Sequence, residues 1–158
     1  ILLLFGIKSF LVRVFEMDEK LILVDLINDL TNENWDYCLS GFTAKDYFQN
    51  GGCYEFVQVL KHFYPEGKVM MSKDYGHCAY KIDDKIYDCN GICDENEFKE
   101  ANEVDLNMLE DPQLYGSIEI QFDHQRPHTA LINEIYLCFP NKDFPFGNLD
   151  SKEQEKTL

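Results

Sequence analysis

The sequence predicts an α+β fold, with helices in the N-terminal part of the chain packed on an antiparallel sheet of about four or five strands. Three observations carry this expectation. Apolar residues recur first at helical spacing, at Leu21, Val24, Ile27 or Leu26, and Leu30, and again at Cys53, Val57, Leu60 and Tyr64. The pattern then shortens to strand-like runs around residues 69–71 and 77–87. The 158 residues are 45% hydrophobic and include 12 Phe and 9 Tyr, enough for one domain with a real core and too apolar for a disordered chain.

Taken in order, residues 1–16 are an apolar segment broken by Lys8 and Arg13. It is too short and too interrupted for a membrane span, and it lacks the basic leader and small-residue cleavage site of a signal peptide. Translated upstream sequence, a fragment artefact, a first buried strand and a weak membrane anchor are the alternatives for it. A single domain is expected over 17–148, followed by a charged tail at 149–158. The first helix is placed at residues 18–30, with acidic residues near its start. Trp35 and Tyr37 lie in a polar stretch and are expected to pack it onto the domain. Thr43 can cap a short helix ahead of Tyr47 and Phe48.

Gly51-Gly52 then breaks the chain and Cys53 opens the second amphipathic helix, with Phe56 and Phe63 widening its apolar stripe and Pro65-Glu66-Gly67 ending it. Residues 69–71 read as a strand and 73–76 as a turn. Residues 77–87 read as a hairpin with Asp83-Asp84 at its tip. Residues 95–109 look helical, with Phe98, Val104 or Met108, and Leu109 facing inward, and Pro112 stops that helix. Residues 115–122 and 131–139 read as further strands.

Acidic residues number 29 against 14 Lys plus Arg, for a formal charge of −15, and no stretch is dense in cations. Such a surface repels a phosphate backbone, so direct nucleic-acid binding is not expected, and neither is a membrane partner. Cys38, Cys53, Cys78, Cys89, Cys93 and Cys138 are read as reduced thiols of a cytoplasmic protein, because a chain of this size does not need a disulfide framework. No phosphate loop, dinucleotide fingerprint or zincin helix occurs, so no cofactor is expected. Cys78, Cys89 and Cys93, with His62 or Cys138, are a weak alternative as a zinc site, since no paired C-x-x-C element supports them. Asp123, His124 and His128 flank Pro127 and read as a polar loop.

The strongest chemical signal lies in residues 51–90. A cysteine in the first turn of a helix meets unpaired amides and the positive end of the helix dipole, which favour a thiolate and could stabilise an oxyanion. A two-residue loop at Asp83-Asp84 pairs Ile82 with Lys85, Ala79 with Asp88 and His77 with Asn90. His77 and Asp88 are then diagonal neighbours on one face, and a carboxylate there can orient the imidazole and favour its charged form. Cys53, His77 and Asp88 thus supply nucleophile, base and orienting group for acyl transfer. Separately, each has a blander reading: an inert buried thiol, a structural histidine and a strand-end turn residue.

The segment GGCYEFVQVLKHFYPEG…HCAYKIDDKIYDCNG resembles the core of papain-like proteins of the NlpC/P60 and transglutaminase-like kind. The resemblance implies a papain-like core in which a cysteine-headed helix packs on an antiparallel sheet. It also implies that Cys53 matches the nucleophile, His77 the base and Asp88 the orienting residue. It covers about 40 residues. The gap from Cys53 to His77 is shorter than these families commonly show, no tryptophan adjoins Cys53, and Gln49 lies nearer the cysteine than their side-chain oxyanion donor.

Two functions follow as expectations. One is a cysteine-dependent hydrolase or acyltransferase, a thiol protease among the candidates, acting on a peptide, protein or small acyl substrate through a thioester. The other is a non-catalytic acidic inhibitory or regulatory protein that binds a basic protein partner, of which an anti-defence or nucleic-acid-mimicking protein would be one form.

Overall fold

The computed structural model describes residues 18–34, 41–111 and 126–146. Helix α1 (Glu19–Asn34) begins where the Asp18 carboxylate accepts the Lys20 amide at 3.0 Å. It buries Val24, Ile27 and Leu30 of the expected stripe together with Leu23, while Leu21 and Leu26 are only partly buried. Helix α2 (Ala44–Gln49) opens with a complete capping box: Thr43 Oγ1 accepts the Asp46 amide at 3.2 Å, and the Asp46 carboxylate accepts the Thr43 amide at 2.7 Å. Helix α3 (Cys53–Phe63) buries Cys53, Tyr54, Phe56, Val57, Val59, Leu60 and Phe63, while Tyr64 caps it.

Five strands follow: β1 (Lys68–Ser72), β2 (Cys78–Ile82), β3 (Lys85–Asp88), β4 (Gly91–Ile92) and β5 (Phe98–Glu100). They form one antiparallel sheet in the order β4-β3-β2-β1-β5. The hairpin has the expected register, Ile82 opposite Lys85 and Tyr80 opposite Tyr87. Asp83 takes the left-handed conformation at its tip (φ 55°), which aspartate tolerates better than most residues.

Side-chain alternation divides the sheet's residues between two clusters. Met71, Cys78, Tyr80, Ile82, Tyr87 and Cys89 join the main core with the helices, and Met70, Ala79, Ile86 and Phe98 form a smaller cluster of their own. The main core is completed by α4 (Glu103–Glu110) through Leu109 and by α5 (Pro127–Cys138) through Leu131 and Ile135. The fold is thus α+β, with the N-terminal helices packed against a five-stranded antiparallel sheet.

Two expected elements differ. Residues 95–102 are not helical: a 3₁₀ turn (Glu95–Glu97) leads into β5, which pairs with β1 through Phe98 and Ser72. The helix starts only at Glu103, where Asn102 caps the Asp105 amide and the Asp105 carboxylate accepts the Asn102 amide, both at 3.0 Å. Val104 is consequently exposed, whereas Phe98 is buried from a strand. Residues 131–138 belong to α5 rather than to a strand, because Pro127 starts a helix and Leu131 and Ile135 bury one helical stripe. Residues 1–16, Trp35, Tyr37, Cys38, the strand expected at 115–122, Asp123, His124 and the tail at 149–158 lie outside the described residues. Among the described residues no helix is long and apolar enough to cross a membrane.

Helix α1 is fastened to the hairpin and the end of β3. The Asp18 carboxylate accepts the Tyr87 hydroxyl at 2.7 Å and the Lys85 ammonium at 3.0 Å, and Asn28 Nδ2 donates to the Cys89 carbonyl at 2.8 Å. Removing the hydroxyl alone, in Tyr87→Phe, is expected to lower the free energy of unfolding by about 1–2 kcal/mol, since the bond it makes is to a charged group. Urea denaturation measures this, with an unchanged m-value expected.

Candidate functional site

Cys53 is the first residue of α3, and its position follows from the two glycines before it. Gly51 takes φ 122°, and a Cβ on Gly52 would lie 2.5 Å from the Tyr47 ring, so only glycine lets α2 pack this closely against the start of α3. Gly52 is also the N-cap and brings no capping side chain, leaving the first-turn amides without that partner.

His77 sits immediately before β2, at the end of a tight loop from β1. Ser72 exchanges two bonds with it: the Ser72 amide donates to the His77 carbonyl at 2.8 Å, and the His77 amide donates to Ser72 Oγ at 2.9 Å. Asp74 braces this pair, accepting Ser72 Oγ at 2.6 Å and the Gly76 amide at 3.0 Å. The loop holds Tyr75 at φ 60°, an uncommon conformation for an aromatic residue, with its hydroxyl 2.6 Å from Lys99 Nζ.

Asp88 ends β3. Its Oδ2 lies 2.9 Å from His77 Nε2 and its Oδ1 accepts the Asn90 amide at 2.7 Å, so the histidine and carboxylate meet as expected, although the ladder stops at Tyr80–Tyr87 and pairs neither Ala79 with Asp88 nor His77 with Asn90. The imidazole also packs edge-on to Phe98, with centroids 6.2 Å apart. Lying outside the paired part of β2, His77 is not confined to one face of the sheet, and it contacts the Cys53 sulfur as well. The structure therefore brings all three predicted residues into one connected group.

The electrostatics of the group follow from these contacts. Cys53 is held down at about 5, first by the Cys78 thiol hydrogen-bonded to it, against the opposing effect of burial, and then by His77 and the Cys78 amide. His77 is raised to about 9, by its bonds to Asp88 and then to Cys53, with burial opposing. Burial pushes Asp88 up, but the His77 imidazole and the Asn90 amide outweigh it and hold the carboxyl below its ordinary value. Near neutral pH this favours a thiolate beside an imidazolium beside a carboxylate.

A second cluster, not recognised from the sequence, supports the cysteine helix from another side. Glu55 accepts Arg126 Nη2 at 2.6 Å, the His128 amide at 3.0 Å and His128 Nδ1 at 2.5 Å, tying the start of α5 to the start of α3. Despite burial, which would raise it, Glu55 is held at about 2 by these donors. His128 was expected in a polar loop and lies instead in the first turn of α5. Cys78, weighed from the sequence as a weak zinc ligand against core packing, is buried in the core, and it touches Cys53 because alternation turns it toward the helices while His77 stands at the strand end. Among the described residues no three His, Cys, Asp or Glu side chains are placed to hold a metal ion, and Cys53, Cys78, Cys89, Cys93 and Cys138 are free thiols.

Residues 23–129 match the family model of the phage YunG-like proteins. The chain belongs to the phage YunG-like family. The matched span contains the whole group just described, from Asn28 through Cys53, His77 and Asp88 to His128. No curated protein and no solved structure matches this phage YunG-like chain.

Two substitutions test the supports. Gly52→Ala should clash with Tyr47 and cost about 1–3 kcal/mol, read as a lowered thermal midpoint. Glu55→Gln should cost about 1–3 kcal/mol at neutral pH. The sign follows from the depressed acidity of Glu55: its contribution is present above the unfolded value near 4.5 and is lost as pH falls toward about 2. The difference between wild type and Glu55→Gln in urea denaturation should therefore shrink between pH 5 and pH 2.

Proposed function

We propose that the protein is a cysteine-dependent hydrolase or acyltransferase with a papain-like core, acting on an amide or related acyl substrate through a thioester. One observation carries the reading: the Cys53 sulfur at the head of α3 contacts His77, whose Nε2 is 2.9 Å from Asp88. Because Nε2 faces the carboxylate, Nδ1 is the nitrogen left for the sulfur, and Asp88 fixes that orientation.

The chemistry follows the groups in turn. The Cys53 thiolate attacks the acyl carbon, and the oxyanion that develops is met by the uncapped amides at the start of α3. The His77 imidazolium gives its proton to the departing amine, leaving a thioester on Cys53. Neutral His77 then takes a proton from water or an acceptor amine, which attacks the thioester and releases the sulfur as thiolate. Asp88 stabilises the imidazolium in both half-reactions without itself being protonated. A peptide, a cell-wall amide, a glutamine side chain and another acyl donor all suit this sequence of steps.

The rival reading is a catalytically silent acidic protein that binds a basic partner. It draws on the formal charge of −15 and on the burial of Cys53, which is 5% exposed. Reaction with electrophilic acyl probes separates the two. Acylation at Cys53 should be bell-shaped, rising through about pH 5 as the thiolate forms and falling through about pH 9 as His77 loses its proton. Cys53→Ala should abolish it, and His77→Ala should slow it by about 10²- to 10⁴-fold. A thiol that reacts only above its ordinary value of about 8.5, unchanged by His77→Ala, would favour the silent binder.

A further inference from the structure

Cys53 has a second sulfur against it. Cys78, the first residue of β2, directs its thiol and its amide onto the Cys53 sulfur, and the two residues are 1% and 5% exposed. The acyl-transfer scheme gives Cys78 no step. The other described cysteines are engaged elsewhere: Cys89 Sγ points to the Lys45 carbonyl at 4.0 Å, Cys93 Sγ to the Gly91 carbonyl at 3.9 Å and beside Asp88, and Cys138 is exposed on α5. A buried thiol hydrogen-bonded to a neighbouring cysteine sulfur is placed as a resolving cysteine for oxidation of that neighbour.

We propose that Cys53 and Cys78 form a reversible disulfide when a hydroperoxide reaches the site, switching Cys53 between a reactive and a protected state. As regulation of acyl transfer this rests on the function proposed above; the disulfide itself does not. In the first step the Cys53 thiolate attacks the outer oxygen of hydrogen peroxide. An S–O bond forms, the O–O bond breaks, and hydroxide leaves and takes a proton to become water. The sulfur is oxidised by two electrons to the sulfenic acid and the peroxide is reduced by two.

In the second step the Cys78 sulfur attacks the Cys53 sulfur. The S–O bond breaks, the hydroxide leaving group takes the Cys78 proton, and one water is released with the S–S bond. A dithiol reductant reverses the change by thiol–disulfide exchange. Contact suits this pairing, because the resolving thiol already lies against Cys53 and captures the sulfenic acid before further oxidation. Cys53 and Cys78 open α3 and β2 and belong to the same buried core cluster.

The test uses the intact reduced protein at pH 7, treated with a small excess of hydrogen peroxide, blocked with iodoacetamide and digested with trypsin without reductant. The expected product joins the peptide of residues 46–61, which holds Cys53, to that of residues 74–81, which holds Cys78. Labelling of Cys53 by iodoacetamide should fall by about tenfold or more and return after dithiothreitol. Cys78→Ser should give no joined peptide, and Cys53 should proceed instead to the sulfinic and sulfonic acids. Cys89→Ser serves as the control and should still form the bond.

Accumulation of sulfinic acid on wild-type Cys53 without the joined peptide, or a bond from Cys53 to Cys89, Cys93 or a second chain, would overturn the proposal. These outcomes are read on the wild type and do not depend on the folding of any variant. A joined peptide in a protein that acyl probes never label would uphold the disulfide and reject acyl transfer. The reverse pair of results would do the opposite.

Discussion

The contact between the Cys53 sulfur at the start of α3 and the His77 imidazole at the start of β2 is the constraint on which the rest of the site depends. It joins a helix to a sheet through two largely buried groups, the thiol pushed toward its charged form and the imidazole likewise. A lone thiolate or imidazolium placed there would bear the cost of desolvation without compensation. Together, and with Asp88 at 2.9 Å on the far side of the ring, they make charge separation favourable where neutral groups would otherwise be expected. The start of α3 is in turn set by the glycines before it, since a Cβ on Gly52 would lie 2.5 Å from the Tyr47 ring of α2.

Each member of the group is positioned by a different part of the fold. Ser72 and Asp74 fix the backbone of His77 from β1, and the Asn90 amide and the Asn28 bond to Cys89 fix the end of β3 around Asp88. Glu55 fixes the start of the cysteine helix to α5 through Arg126 and His128. Geometry held in this way by separate elements is what the proposed acyl transfer would require, because the groups need not be ordered at the moment of reaction. The same arrangement sets Cys78 beside Cys53, so the feature that favours a thiolate also supplies a partner for oxidation.

Much of this was legible in the residues, for reasons that are physical rather than statistical. The cysteine helix declared itself through a strong apolar stripe and a glycine break, and the hairpin through an Asp-Asp tip whose two-residue loop fixes register and therefore which side chains lie near one another. What resisted reading was of two kinds. Short apolar runs such as Leu131 to Cys138 fit strand or helix until a packing partner decides, and here α3 decides for helix. Likewise Phe98 sits in a polar stretch whose pairing with β1 is a long-range contact that local pattern does not encode. The Glu55 clamp spans 71 residues to Arg126 and left no local signal. Cys78 was the nearer miss, since alternation after His77 already turned it toward the helical side.

The most direct test of this account is the ionisation of His77 itself, followed by ¹⁵N-resolved NMR of the imidazole across pH 5 to 10 in the wild type and in Cys53→Ser. The contact predicts a ring protonated on both nitrogens at pH 7 that titrates near 9, with the midpoint lowered when the sulfur is replaced. A His77 that is neutral at pH 7, titrating near its ordinary 6.5 and indifferent to Cys53→Ser, would contradict the account at its centre.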